Sequence, residues 1–106
     1  MTNFEQILQM GQQVQARMNE LQTELEGRSI TGSAGGGMVT ATADGRGKIR
    51  GIKIDPNVAG GDVEMLEDLV LAAVSAAQDR ATRAYEEEMQ KLAGGLPLPF
   101  PLPDLT

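Results

Sequence analysis

The chain contains no cysteine, no histidine and no tryptophan. Without cysteine there is no disulfide framework and no thiolate nucleophile, and without either ligand type there is no zinc cluster and no imidazole base. Aromatic residues make up only 3% of the 106 positions, namely Phe4, Tyr85 and Phe100, so a core must be built from Leu, Ile, Val, Met and Ala. No stretch approaches the roughly 18 uncharged apolar residues of a membrane helix. The opening residues, Met-Thr-Asn-Phe-Glu, lack the basic region and apolar run of a secretory signal. These absences lead to the expectation of a soluble cytoplasmic protein that uses no cofactor, metal or small-molecule substrate. Ser29, Ser33 and Ser75 have no local activator. The glycines at 35–37 lack the lysine and hydroxyl residue of a phosphate-binding loop. Asp55 and Asp62 read as a strand end and a helix cap, not as a carboxylate pair. The chain is therefore not expected to be an enzyme.

Positive charge is scarce as well. Nine Lys and Arg stand against fifteen Asp and Glu, a formal net charge of −6. Yet four of the nine bases, Arg46, Lys48, Arg50 and Lys53, fall within eight residues that contain no acid. Two readings suit this strip. It is a solvated hairpin whose charges discourage edge pairing, or a surface that meets phosphates.

Helical periodicity is clear on both sides of the strip. Phe4, Ile7, Gly11, Val14, Met18, Leu21 and Leu25 recur at alternating steps of three and four, a heptad-like stripe opposite a glutamine-rich face. The spacing predicts a helix over residues 3–26, with Asn3 as its N-cap and Gly27 as its stop. Ile30 starts a short extended segment, residues 32–37 read as a connection, and residues 38–43 read as a strand. Asp44-Gly45 marks a turn, residues 48–54 return as a strand, and Asp55-Pro56 ends it. Strict alternation places Lys48, Arg50, Ile52 and Ile54 on one face, with Ile49, Gly51 and Lys53 on the other.

Asp62 is expected to cap a second helix that ends at Gly94-Gly95. Some thirty residues at 1.5 Å each give about 45 Å, longer than the roughly 33 Å diameter of a compact domain of this size. This helix must overhang its globule or lie against a second chain. Ala73, Ala77, Ala81 and Ala84 form a smooth stripe suited to close packing there. Arg17 with Glu20, Asp79 with Arg83, Arg83 with Glu87, and Glu87 with Lys91 are spaced for surface ion pairs. Residues 96–106 alternate proline with apolar residues and read as a loose, extended tail following a single domain over residues 1–95. A core of this size is marginal alone, which favours a partner that buries more apolar surface.

The order and spacing of these features resemble a known family. Thr31-Gly32, Gly35-x-Gly37-x-Val39, Gly45 and Ile54-Asp55-Pro56 are similar to motifs of the YbaB/EbfC family of bacterial nucleoid-associated proteins. So are the run from Glu64 to Ala73 that opens the second helix, the Gln12–Gln15 and Arg17-Met18 segments of the first, and the proline-containing end. The resemblance implies an α+β subunit ordered α-β-β-β-α, joined through its sheet as a homodimer with projecting helices. It also implies binding of double-stranded DNA in the nucleoid, with effects on DNA organisation and gene expression. Many relatives have lysine at the position of Gln9 and a basic residue at that of Glu20. Residues 1–26 hold one base against four acids, and residues 62–93 hold three against eight.

The expected function is binding of duplex DNA with little sequence preference, by phosphate contacts. The candidate residues are Arg17, Arg46, Lys48, Arg50, Lys53, Arg80 and Arg83. Lys91, surrounded by Glu86, Glu87 and Glu88, is a poorer candidate. The alternative is a dimeric interaction module that docks a protein partner and binds DNA weakly or not at all.

Overall fold

A computed structural model of the protein describes residues 2–95. The proline-rich tail at 96–106 lies outside the described residues. The order of elements is α1 (Thr2–Glu26), β1 (Ile30–Ala34), β2 (Val39–Ala43), β3 (Ile49–Ile54), α2 (Pro56–Ala59) and α3 (Val63–Gly95). The strands form one antiparallel sheet in the order β1-β2-β3. This is the α-β-β-β-α arrangement expected, with one short addition, α2, whose N-cap Asp55 accepts the Asn57 amide at 2.9 Å.

Several expected boundaries shift. Asn3 lies inside α1 and so does not cap it, and α3 continues through Gly95. The segment at 32–37 is not all connection. β1 runs to Ala34 with Gly32 directly opposite Ala41, and a turn of four residues, Gly35, Gly36 and Gly37 at positive φ followed by Met38, joins it to β2, which starts at Val39 and not at 38. Gly32 belongs to the strand because a helix crosses it closely. A Cβ there would collide with Ala77 N and lie 2.7 Å from Ala73 O. Ala73, Ala77 and Ala81 are fully buried over this site, beside Ala41 and Ala43 of β2. The alanine stripe therefore serves helix-on-sheet packing within one chain, not the helix's far end.

The core lies between α3 and one face of the sheet, where Val39, Ala41 and Ala43 have no exposure. The other face carries Thr31, Ser33, Thr40, Thr42 and Lys53, polar residues suited to water. β3 departs from simple alternation. The register slips between Thr42 and Ala43, so that Thr42 faces Gly51 but Ala43 faces Ile49. That bulge returns Ile49 to the core side, together with Ile52 opposite Ala41 and Ile54 opposite Val39. The facing assigned to Ile49 by strict alternation is thus corrected.

α3 packs on β1 and β2 and scarcely touches β3. Its overhang is real: the molecule extends 71 Å along its longest axis and 24 Å and 16 Å across, with a radius of gyration of 19.5 Å. The second half of α1 runs beside the far half of α3, burying Leu21 and Leu25. None of the helices described is long and apolar enough to cross a membrane.

Candidate nucleic-acid interface

The β2–β3 hairpin is organised by one carboxylate. Asp44 is 3% exposed and accepts the amides of Arg46 at 2.9 Å and Lys48 at 3.0 Å. Its second oxygen accepts from the Arg50 guanidinium at 3.1 Å. Gly47, at φ 86°, closes the turn by donating to Asp44 O. The amide of Lys48 above all, then that of Arg46 and the Arg50 guanidinium, hold the Asp44 carboxyl below its usual range against the opposing effect of burial. The neighbouring Gly45 presses on the end of α1, where its amide donates to Leu25 O at 2.7 Å and a Cβ would lie 2.8 Å from the Leu25 side chain. The basic turn is thereby fixed at the root of α1.

This anchoring brings Arg46, Lys48 and Arg50 around one open cleft shared with Glu26 and Asp44. Arg46 pairs with Glu26 at 2.8 Å, and both side chains are about half exposed. Such a pair contributes roughly 0–1 kcal/mol, so a phosphate can displace it cheaply. Arg50 is more committed, because the carboxylate it holds is buried. Lys53 is set apart, five residues along β3 from Lys48 and opposite Thr40 on the polar face, about 17 Å away at strand spacing.

The helical candidates do not join this group. Arg17 pairs with Glu20 at 3.3 Å, as the spacing suggested. Arg80 donates to Thr31 O of β1 at 2.9 Å, tying α3 to the sheet. Among the described residues, Lys48, Lys53 and Arg83 make no ion pair, so the expected contacts of Arg83 with Asp79 and Glu87 are absent. Lys91 reaches Glu88 at 3.4 Å instead of Glu87.

Sequence reasoning passed over the pairs of Arg46 with Glu26 and of Arg50 with Asp44, and also those of Arg28. Arg28, just beyond α1, donates to Glu88 of α3 at 2.8 Å and also reaches Glu24. The Arg28 hydrogen bond holds the Glu88 carboxyl below its usual range. A separation of 60 residues leaves no local spacing signal for it. Asp55 and Asp62 both act as caps, the latter accepting the Glu64 amide at 2.9 Å.

The comparisons with known proteins agree with this architecture. Residues 1–96 match the sequence model of the YbaB/EbfC DNA-binding family. A nucleoid-associated protein of Gemmatimonas aurantiaca is 47% identical over 91 residues, covering 85% of this chain and 88% of that relative. One from Gluconacetobacter diazotrophicus is 44% identical over 100 residues, covering 93% and 94%. The crystal structure of an uncharacterised protein from Helicobacter pylori superposes with a TM-score of 0.77 over 84% of this chain and 95% of that one. At 18% identity it speaks to the fold alone.

Proposed function

The chain belongs to the YbaB/EbfC DNA-binding family, and from that premise we propose that it works as a homodimer that binds duplex DNA in the nucleoid through phosphate contacts. The family is one of DNA-binding proteins, not of enzymes. Its curated relatives named above are nucleoid-associated proteins, which supports the nucleoid as the place of action.

The sheet supplies the reason for a dimer. β3 keeps apolar residues on its core side; Ile49 and Ile54 pack against the core, but α3 scarcely touches this strand and Ile52 remains 46% exposed. A second copy laid against this margin covers Ile49, Ile52 and Ile54 and brings two basic hairpins into one assembly. Two chains also carry twice the net charge of −6, so the long-range field repels DNA and affinity must come from local cationic surface.

The hairpin provides that surface. The single observation that carries this reading is the convergence of Arg46, Lys48 and Arg50 on one open cleft, where they outnumber the two acids, Glu26 and Asp44. Lys48 and Lys53 are ready for phosphate, and Arg46 is released from Glu26 at small cost. Arg17, Arg80 and Arg83 lie on helices rich in acids and contribute less. Contacts to phosphates carry no base information, so this mode of binding goes with little sequence preference.

Fluorescence titration of a labelled duplex separates the two surfaces. Replacing Arg46, Lys48 and Arg50 together with Ala is expected to abolish binding at moderate salt. Replacing Arg17, Arg80 and Arg83 is expected to leave most of the affinity. The reverse result moves the contact to the helices. Absence of binding by the unmodified chain even at low salt leaves the protein-interaction module as the surviving reading.

A further inference from the structure

A second cleft borders the basic hairpin, between its turn and α3. It measures about 280 Å3 and is lined by Gly45, Arg46, Ala81, Thr82 and Tyr85. Spacing explains the α3 wall. Gln78, Ala81, Thr82 and Tyr85 stand at i, i+3, i+4 and i+7, so they share one face of the helix. Gln78 donates to Gly47 O of the turn at 3.1 Å and ties that face to the hairpin. Ala81 is buried, yet Tyr85, one turn further on, stays 41% exposed. No acid lines this cleft, whereas Glu26 and Asp44 line the one shared by Lys48 and Arg50. Arg46 lines both.

We propose that this cleft takes one unpaired base of a DNA strand, stacked on the Tyr85 ring while Arg46 meets the phosphate beside it. The inference rests on the DNA binding proposed above and adds a contact to a base, which that reading lacks. A base inside an intact duplex must be unstacked and unpaired before it reaches a side pocket, and the cost is least where the strand is already single. The occupant is therefore a base at a gap, an overhang or a melted stretch. The size suits it. Ligand sites run from about 300 Å3 upward, so this cleft holds a fragment and not a whole oligonucleotide. One base enters, and its strand continues past Arg46 toward Lys48 and Arg50.

The chemistry of the walls points the same way. Single strands are held where bases stack on aromatic rings and the backbone follows positive charge. Here the chain's one tyrosine stands beside its densest group of bases. Ala81 offers a small apolar floor. The Thr82 hydroxyl donates to Gln78 O at 3.1 Å, which leaves its lone pairs to accept from a base edge. Arg46 comes free readily, since its pair with Glu26 is half exposed on both sides. Every base has a π-face, so stacking of this kind tolerates any sequence.

With one tyrosine and no tryptophan, the full chain carries its own reporter. It is titrated with a blunt duplex and with the same duplex bearing a run of unpaired thymidines. Tyr85 emission is expected to be quenched by the second DNA and little changed by the first. Fluorescence polarisation of the labelled DNAs then reads the variants. Tyr85→Leu should weaken binding of the DNA with unpaired thymidines about tenfold, and Tyr85→Phe, which keeps the ring, by less than about twofold. Equal losses in the two variants, or none in Tyr85→Leu, overturn the stacked base while duplex binding through the hairpin stands. Quenching by free thymidine monophosphate at the same concentrations overturns DNA as the occupant. Failure of the unmodified chain to bind either DNA overturns this inference and the DNA-binding reading together.

Discussion

Asp44 shows how one residue sets the geometry of the basic turn. Its two oxygens engage two amides and a guanidinium, and these depress its pKa. Glu88 is depressed as well, by Arg28 first and Lys91 after it. A carboxyl with a lowered folded-state pKa binds fewer protons than in the unfolded chain. Its contribution is therefore full above the ordinary carboxylate range and is lost as pH falls through the folded value. Denaturant midpoints should hold steady near neutral pH and drop below about pH 4. Asp44→Asn should lower the neutral midpoint and flatten this acid limb. A variant with the unmodified chain's pH profile would show that the carboxylate is not the organiser.

Gly32 is the other decisive position at this scale. Any side chain there meets the backbone of α3, which cannot move aside as a flexible tip can. Gly32→Ala is expected to destabilise the chain by about 3 kcal/mol or more, read by urea denaturation, the upper range for overpacking. A change below about 1 kcal/mol would mean that α3 is not held against β1.

At the scale of elements, the periodic helices were legible from side-chain spacing, because alternating steps of three and four have no strand interpretation. The hairpin was legible from Asp44-Gly45 between two short β-branched runs. What spacing could not supply was the reach of β1 through Gly32. A glycine-rich segment reads as loop until the opposing helix is known. The bulge at Arg50 was equally hidden, since its cause is cross-strand register and not local composition. Among the candidate cations, the run of four bases was visible in the sequence, but not that Lys53 lies apart from the other three or that Glu26 and Asp44 join them. The engagement of Arg80 with Thr31 O was not, since those residues are 49 positions apart. Leu25, fully buried where α1 meets the hairpin and α3, tests the junction. Leu25→Ala should cost about 2–5 kcal/mol in chemical denaturation. It should also weaken DNA binding if α1 holds the turn in place. Loss of stability without loss of affinity in the folded fraction would separate the two.

For the whole molecule, the question is how an acidic chain presents a cationic surface. The proposed dimer through the margin of β3 answers it, because it would cover the exposed Ile52 while doubling the number of basic hairpins. Sedimentation equilibrium at micromolar concentration should return twice the mass of the chain. Ile52→Asp should return a single chain that still folds, since that side chain is 46% exposed in the subunit. A monomeric unmodified protein would remove the architecture on which the pooled charge depends.

The most direct measurement is the salt dependence of duplex affinity, compared between the intact chain and Lys48→Ala. With Arg46, Lys48 and Lys53 contributing from each subunit of the proposed dimer, about six phosphates are neutralised, so log K should fall against log salt with a slope of about −5.4. Removing Lys48 from both subunits should reduce the slope to about −3.6 and lower affinity for all duplex sequences alike. A slope that the substitution leaves untouched would contradict a hairpin that meets the phosphate backbone.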